Sequence, residues 1–173
     1  MFVKDVFLIY NTSCFYEIII LNYFMSVTNC DMIFCSLDCN AVKTTEGFSV
    51  NVDMALENLN KEQIRSFIIP GGDISIIDNA EFRMYLQDLK ERDILIAGIC
   101  AGVDVLEKAE ILGELKSIHS LNEDCVCDKN VITARANAYV DFAIEVAKKL
   151  DLFDSEEDLQ ETIDFWKYHV RVQ

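Results

Sequence analysis

Hydrophobic and polar positions along the chain divide it into short apolar runs and longer amphipathic stretches. The run VKDVFLIY, residues 3–10, is rich in β-formers and predicts a buried strand. NTSCFYEIIILNYFMSVTN follows, with Leu21, Phe24 and Met25 on one face, and predicts a helix that Asn11, Thr12 or Ser13 caps. DMIFCSL, residues 31–37, is a second strand, and alternation around Glu46 and Gly47 predicts a short hairpin. NKEQIRS reads as a brief helix capped by Asn60. FIIPGG, residues 67–72, is a third buried strand that stops abruptly, because a proline and paired glycines cannot continue a ladder.

The second half repeats the alternation. DNAEFRMYLQDLKERD is an amphipathic helix with Phe82, Tyr85, Leu86 and Leu89 on one face. ILIAGI, residues 94–99, is a fourth strand, and a helix carrying Val103, Leu106 and Ile111 follows Cys100. SIHS, DCVC and VITA are short strand candidates, and NAYVDFAIEVAKKL is a helix with Val140, Ala143, Ile144 and Ala147 inward. A last helix, about residues 155–170, is opened by Ser155 and the acids Glu156 and Glu157, which suit a helix N-terminus. Strands alternating with helices predict an α/β fold, a mostly parallel sheet with helices on both faces. Ligands of such sheets bind beyond the carboxyl ends of the strands, where both the PGG and GICAG segments fall.

Composition narrows the function classes. The 173 residues fit one domain, 1–173, with the C-terminal helix packed on it. A formal net charge of −15 repels nucleic-acid phosphates and anionic lipid, so neither nucleic acid nor membrane is an expected partner. FYEIIILNYFM carries Glu17 and Asn22 and is too short to span a bilayer. The seven cysteines are odd in number and no secretory signal is evident, which predicts reduced thiols and a cytoplasmic location. CDMIFCSLDC is no zinc knuckle, and CVC puts two thiols on one strand face with only two histidines in the chain to assist, so no metal or other cofactor is expected, and most cysteines read as small buried hydrophobes.

Cys100 stands apart. In Gly98-Ile99-Cys100-Ala101-Gly102 the thiol sits between strand and helix with small residues on either side, the form of a nucleophile elbow. The helix N-terminus predicts a thiol more acidic than the other six, with the Ala101 N–H as half of an oxyanion hole and the Gly72 N–H as the other half.

The opening FLIYN, Glu17 in FYEI, FIIPGG, GICAG, His119 and NVITARANAYVDFAIEV resemble the ThiJ/PfpI family of the class I glutamine amidotransferase-like superfamily, from about residue 3 to residue 150. The resemblance implies a flavodoxin-like three-layer sandwich. It implies Cys100 as the reactive elbow cysteine, Glu17 as the carboxylic acid bonded to it, and Gly72 and Ala101 as backbone donors. His119, 19 positions after the cysteine, resembles a histidine found beside it in one branch of the family. The implied activity is that of a hydrolase, amidase or glyoxalase-type enzyme on a small electrophilic substrate; the alternative is a stress or redox sensor whose Cys100 oxidises to sulfinate. The protease-like branch has histidine directly after the cysteine where this chain has Ala101, which speaks against a peptidase. Family members are commonly dimers. The apolar first helix, with Tyr23 and Phe24, and the turn from Ala136 to Tyr139 are the expected homodimer contact.

Overall fold

A computed structural model describes residues 3–171. In chain order the elements are β1 (Lys4–Leu8), α1 (Ile19–Val27), β2 (Met32–Ser36), β3 (Val42–Lys43), β4 (Ser49–Val50), β5 (Met54–Ala55) and β6 (Ile64–Ile69), then α2 (Ala80–Glu91), β7 (Leu95–Ile99), α3 (Ala101–Lys108), β8 (Cys125–Asp128), β9 (Val131–Ala134), α4 (Tyr139–Lys149) and α5 (Glu156–Trp166). Seven strands form one sheet in the order β5-β2-β1-β6-β7-β9-β8, parallel except where β8 pairs antiparallel with β9. β3 and β4 make the separate hairpin that the Glu46-Gly47 alternation predicts.

The central strands are apolar on both faces because helices cover both. Val6, Leu8, Phe67, Ile69 and Ile96 face one core with Phe82, Leu86 and Leu89 of α2 and Val103 and Leu106 of α3. Phe7, Ile9, Ile68, Ala97 and Ile99 face the other with Leu21 and Met25 of α1 and Phe142 and Ile144 of α4. The strict alternation from Val6 to Ile9 thus feeds two cores from one strand. This is the α/β, flavodoxin-like sandwich. Asn79 and Ser155 cap α2 and α5, accepting from the N–H groups of Phe82 and Asp158 at 2.9 and 3.2 Å. At the amino end of the sheet Asp5 is fully buried. It accepts from the Arg65 guanidinium (Nε at 3.0 Å) and from the Ser66 hydroxyl at 2.7 Å.

Several expectations are corrected. SIHS is not a strand: residues 117–120 form turns, in which the Ser120 hydroxyl accepts from the Ser117 N–H and donates to the Ser117 carbonyl. The isoleucine-rich stretch opens with a single 3-10 turn, Phe15–Glu17, before α1 begins. NKEQIRS divides between a turn, Lys61–Gln63, and the start of β6. All seven cysteines are free thiols, and of these Cys35 alone is buried, while Cys39 and Cys127 are exposed. Among the described residues no helix is long and apolar enough to cross a membrane.

Candidate functional site

The site forms where the carboxyl ends of β1, β6 and β7 meet. Ile99 ends β7 and α3 starts at Ala101, so Cys100 turns the chain in a single residue, with φ 56° and ψ −130°. A non-glycine residue there carries strain of about 1–3 kcal/mol, held only if its surroundings fix it. They do. The Cys100 N–H donates to Ala134 O at 2.9 Å, and its carbonyl accepts from the Val103 N–H at 3.0 Å. The flanking glycines are explained by contact. A Cβ on Gly102 would fall 2.2 Å from Ile69 O, and one on Gly98 would fall 2.9 Å from Leu106 Cδ1 and 3.1 Å from Gly102 O. Helix and strands therefore touch through backbone, which brings the end of β6 against the elbow.

That contact makes Gly71 the hub of the site. A Cβ at Gly71 would lie 2.8 Å from Cys100 Cβ, 2.9 Å from Cys100 Sγ and 2.9 Å from Glu17 Oε2. The Gly71 N–H donates to Glu17 Oε2 at 2.6 Å, and its carbonyl accepts from the Cys14 N–H at 2.9 Å. Tyr10 Oη donates to Pro70 O at 2.8 Å and braces the same turn. Gly72, with φ +144°, passes so close to Thr12 that a Cβ would meet the Thr12 carbonyl oxygen at 2.6 Å.

Glu17 is 1 % exposed, and its second oxygen, Oε1, has no hydrogen-bond partner. Burial raises its pKa against the opposing pull of the Gly71 N–H, so the carboxyl keeps its proton to higher pH than an ordinary glutamate. The thiol does not behave as the helix N-terminus alone predicts. Burial, with the Glu17 charge adding, pushes Cys100 up to about 11, and the Ala101 N–H offsets only part of that. No cation is among the main groups acting on it. The two groups are one coupled acid: while Glu17 holds its proton, no charge opposes the thiolate, and the carboxyl O–H is free to donate to sulfur.

Of the residues singled out from the sequence, the structure brings Cys100, Glu17 and Ala101 together. Gly72 stands one residue beyond the close contact, which Gly71 makes. His119 is held elsewhere. Its Nδ1 lies 3.1 Å from Glu107 Oε2 and its Nε2 3.4 Å from Asp104 Oδ1, both on α3, and no hydrogen bond among the described residues joins it to Cys100 or Glu17. Ligand atoms of Asp104, Glu107 and His119 lie within 4.8 Å of one another, so among the described residues they form a group able to hold a cation, although all three are solvent-exposed. Cys14 and Tyr16 were missed in the sequence. Cys14 flanks Gly71, and Tyr16 packs edge-on against Tyr139 with ring centroids 5.8 Å apart. A hollow of about 510 Å³ between Leu37, Phe82 and Tyr85 does not include Cys100 in its walls.

Comparison with known proteins follows the same lines. Residues 4–149 match the DJ-1/PfpI family. A Bacillus subtilis (strain 168) protein named uncharacterized protease YdeA is 26% identical over 144 residues, covering 73% of this chain and 72% of that one. The DJ-1 superfamily protein Atu0886 from Agrobacterium tumefaciens superposes with a TM-score of 0.85 at 23% identity, covering 97% of this chain and 100% of the other. Drosophila melanogaster DJ-1beta gives 0.77 at 20% identity, over 99% and 100%. At these identities the two solved structures speak for the fold.

Proposed function

The chain belongs to the DJ-1/PfpI family, and from that premise we propose that it is a cysteine-dependent enzyme acting on a small electrophilic carbonyl or amide. The observation that carries this reading is the meeting of Cys100 Sγ and the Glu17 carboxyl over Gly71. A carboxyl raised by burial is a better base than a free glutamate, and its pKa lies nearer that of the thiol it must deprotonate. Glu17 takes the thiol proton, and Sγ attacks the carbonyl carbon. The oxyanion accepts from the Ala101 N–H and from the Gly72 N–H, which donates no other hydrogen bond among the described residues. With an α-oxoaldehyde the adduct is a hemithioacetal, protonated on oxygen by the proton Glu17 has just received. With an amide the adduct collapses as the amine leaves with that proton. His119 has no part in this scheme. With Ala101 after the elbow cysteine, a peptidase dyad of adjacent cysteine and histidine is absent.

Tyr16, the neighbour of Glu17 in the chain, packs edge-on against Tyr139. The homodimer is part of the proposal. Trp166 of α5 covers Phe24 at 5.8 Å, yet Tyr16, Ile19, Tyr23 and Val27 leave an exposed apolar stripe on and just before α1, Tyr23 being 51 % exposed. Light scattering at micromolar concentration tests it, and a monomer mass refutes it. The test of activity is consumption of glyoxals and of primary amides by the wild type and by Cys100→Ser. Loss of turnover in the variant is expected; equal consumption by both overturns the reading.

A further inference from the structure

We propose that Cys14 is a resolving cysteine for Cys100: once a hydroperoxide has oxidised Cys100 to the sulfenic acid, Cys14 closes a disulfide with it. The inference rests on the reading of Cys100 as the reactive thiol and extends it to a second residue.

Three observations carry it. The first is placement. The Cys14 N–H holds the Gly71 carbonyl at 2.9 Å, and the Cys100 sulfur lies 2.9 Å from the point where a Gly71 side chain would begin. The two cysteines therefore flank one residue that has no side chain to part them. The second is freedom. Cys14 lies in extended backbone, φ −80° and ψ 98°, as the cap of the 3-10 turn Phe15–Glu17, where its carbonyl accepts from the Glu17 N–H at 3.3 Å, so its side chain can change rotamer without that turn unwinding. Its thiol has only a long 3.8 Å contact with the Thr45 hydroxyl. The third is the unpartnered Oε1 of the buried Glu17. Both thiols feel that carboxyl, as its effect on each of them shows, so one acid serves two sulfurs. None of the other five cysteines shares a contact with Gly71. Cys35 is buried in β2, Cys39 is exposed in the loop after β2, Cys125 and Cys127 are on the edge strand β8, and Cys30 lies against Arg65 at the opposite end of the sheet.

The chemistry balances. The Cys100 thiolate attacks an oxygen of the hydroperoxide and the O–O bond breaks. Sulfur is oxidised to S–OH, and the other oxygen leaves as alcohol or water with the proton Glu17 took from the thiol. The Cys14 sulfur then attacks Cys100 Sγ. The S–S bond forms as the S–O bond breaks, and the hydroxide leaves as water with the Cys14 proton, passed through Glu17. Two thiols have been oxidised and one peroxide reduced. Without Cys14 the sulfenic acid waits for a second peroxide and becomes sulfinic.

The experiment treats the full chain with graded hydrogen peroxide and reads intact mass and non-reduced peptide maps for the wild type, Cys14→Ser and Cys14→Ala. The wild type is expected to lose two hydrogens, to give a linked peptide pair containing residues 14 and 100, and to return to the starting mass with dithiothreitol. Both variants are expected to gain two oxygens at Cys100 at the same dose. Gain of two oxygens at Cys100 in the wild type while Cys14 still takes up iodoacetamide overturns the inference, as does a link from Cys100 to any other cysteine. If that result comes with turnover of a carbonyl or amide that depends on Cys100, the enzyme reading survives and the resolving role alone falls. If Cys100 takes neither oxygen nor electrophile, both fall.

Discussion

Gly71→Ala asks whether the close approach at the heart of the site is what holds thiol and carboxyl together. The new methyl would stand 2.8 Å from Cys100 Cβ and 2.9 Å from both Cys100 Sγ and Glu17 Oε2. Carbon prefers neighbours at about 3.5–4.0 Å, so each contact is too short by roughly 0.6–1.2 Å. Gly71 does not have a left-handed φ, so alanine suits its backbone and the cost is steric. Cys100 cannot retreat through its backbone, which is pinned at φ 56°, so its sulfur and the Glu17 carboxyl must swing apart. Overpacking of this kind costs about 1–3 kcal/mol. In a chain of this size that lowers Tm by roughly 2–12 °C. A displacement near 1 Å costs about 100-fold in a reaction that depends on alignment, so reactivity should fall much further than stability. Circular dichroism melts beside the rate of Cys100 labelling and turnover test this. Gly113→Ala is the control: its Cβ would meet nothing nearer than Glu110 O at 3.9 Å, and its φ of +42° makes the change a local backbone strain away from Cys100. Gly113→Ala should therefore lower Tm and leave Cys100 chemistry intact. A Gly71→Ala protein with wild-type Tm and labelling rate would refute the packing argument.

Three further outcomes are expected. Because burial raises the Glu17 pKa, the stability this group gives is fully present below its ordinary value of 4.5 and is lost as pH rises through the higher folded value. Glu17→Gln should therefore melt higher than the wild type at pH 8, with the gap closing toward pH 4, while Cys100 turnover drops; a gap of equal size at both pH values contradicts the burial argument. Arg65→Met leaves Asp5 fully buried without its guanidinium. It should cost about 3 kcal/mol or more, read as a fall in the urea midpoint at unchanged slope; an unaltered midpoint refutes the pairing. His119→Ala should leave Cys100 labelling and turnover unchanged, since His119 pairs with Asp104 and Glu107. A loss of about 100-fold, the size expected of a general base, would return it to the site.

The elbow was legible because its cause is local. Gly98, Cys100 and Gly102 mark a change from strand to helix period within five residues. Glu17 was reached through family resemblance, since nothing in FYEI itself tells that a 3-10 turn aims the carboxyl inward. Gly71 and Gly72 look alike in sequence. What separates them is the tertiary contact with Cys100, which no window of residues contains. His119 failed for the same reason: Asp104 and Glu107 stand three apart on α3, and their claim on the imidazole comes from a turn ten or more residues away. The high thiol pKa escaped because the helix terminus is visible in sequence while burial and the Glu17 charge are not. β5, two residues long, is too short for any alternation to announce it.

The three segments that build the site each follow one of the three middle strands of the sheet, β1, β6 and β7, every one of which has a hydrogen-bonded neighbour on both sides. Such strands open last in native-state hydrogen exchange, whereas edges and peripheral helices fray first. β5, β8 and α5, which has no fully buried residue, lie at that fraying margin. Partial unfolding from the rim inward would thus shed helical signal while thiol and carboxyl still face each other. Cys100 and Glu17 are thus carried by the strands expected to open only with the whole structure.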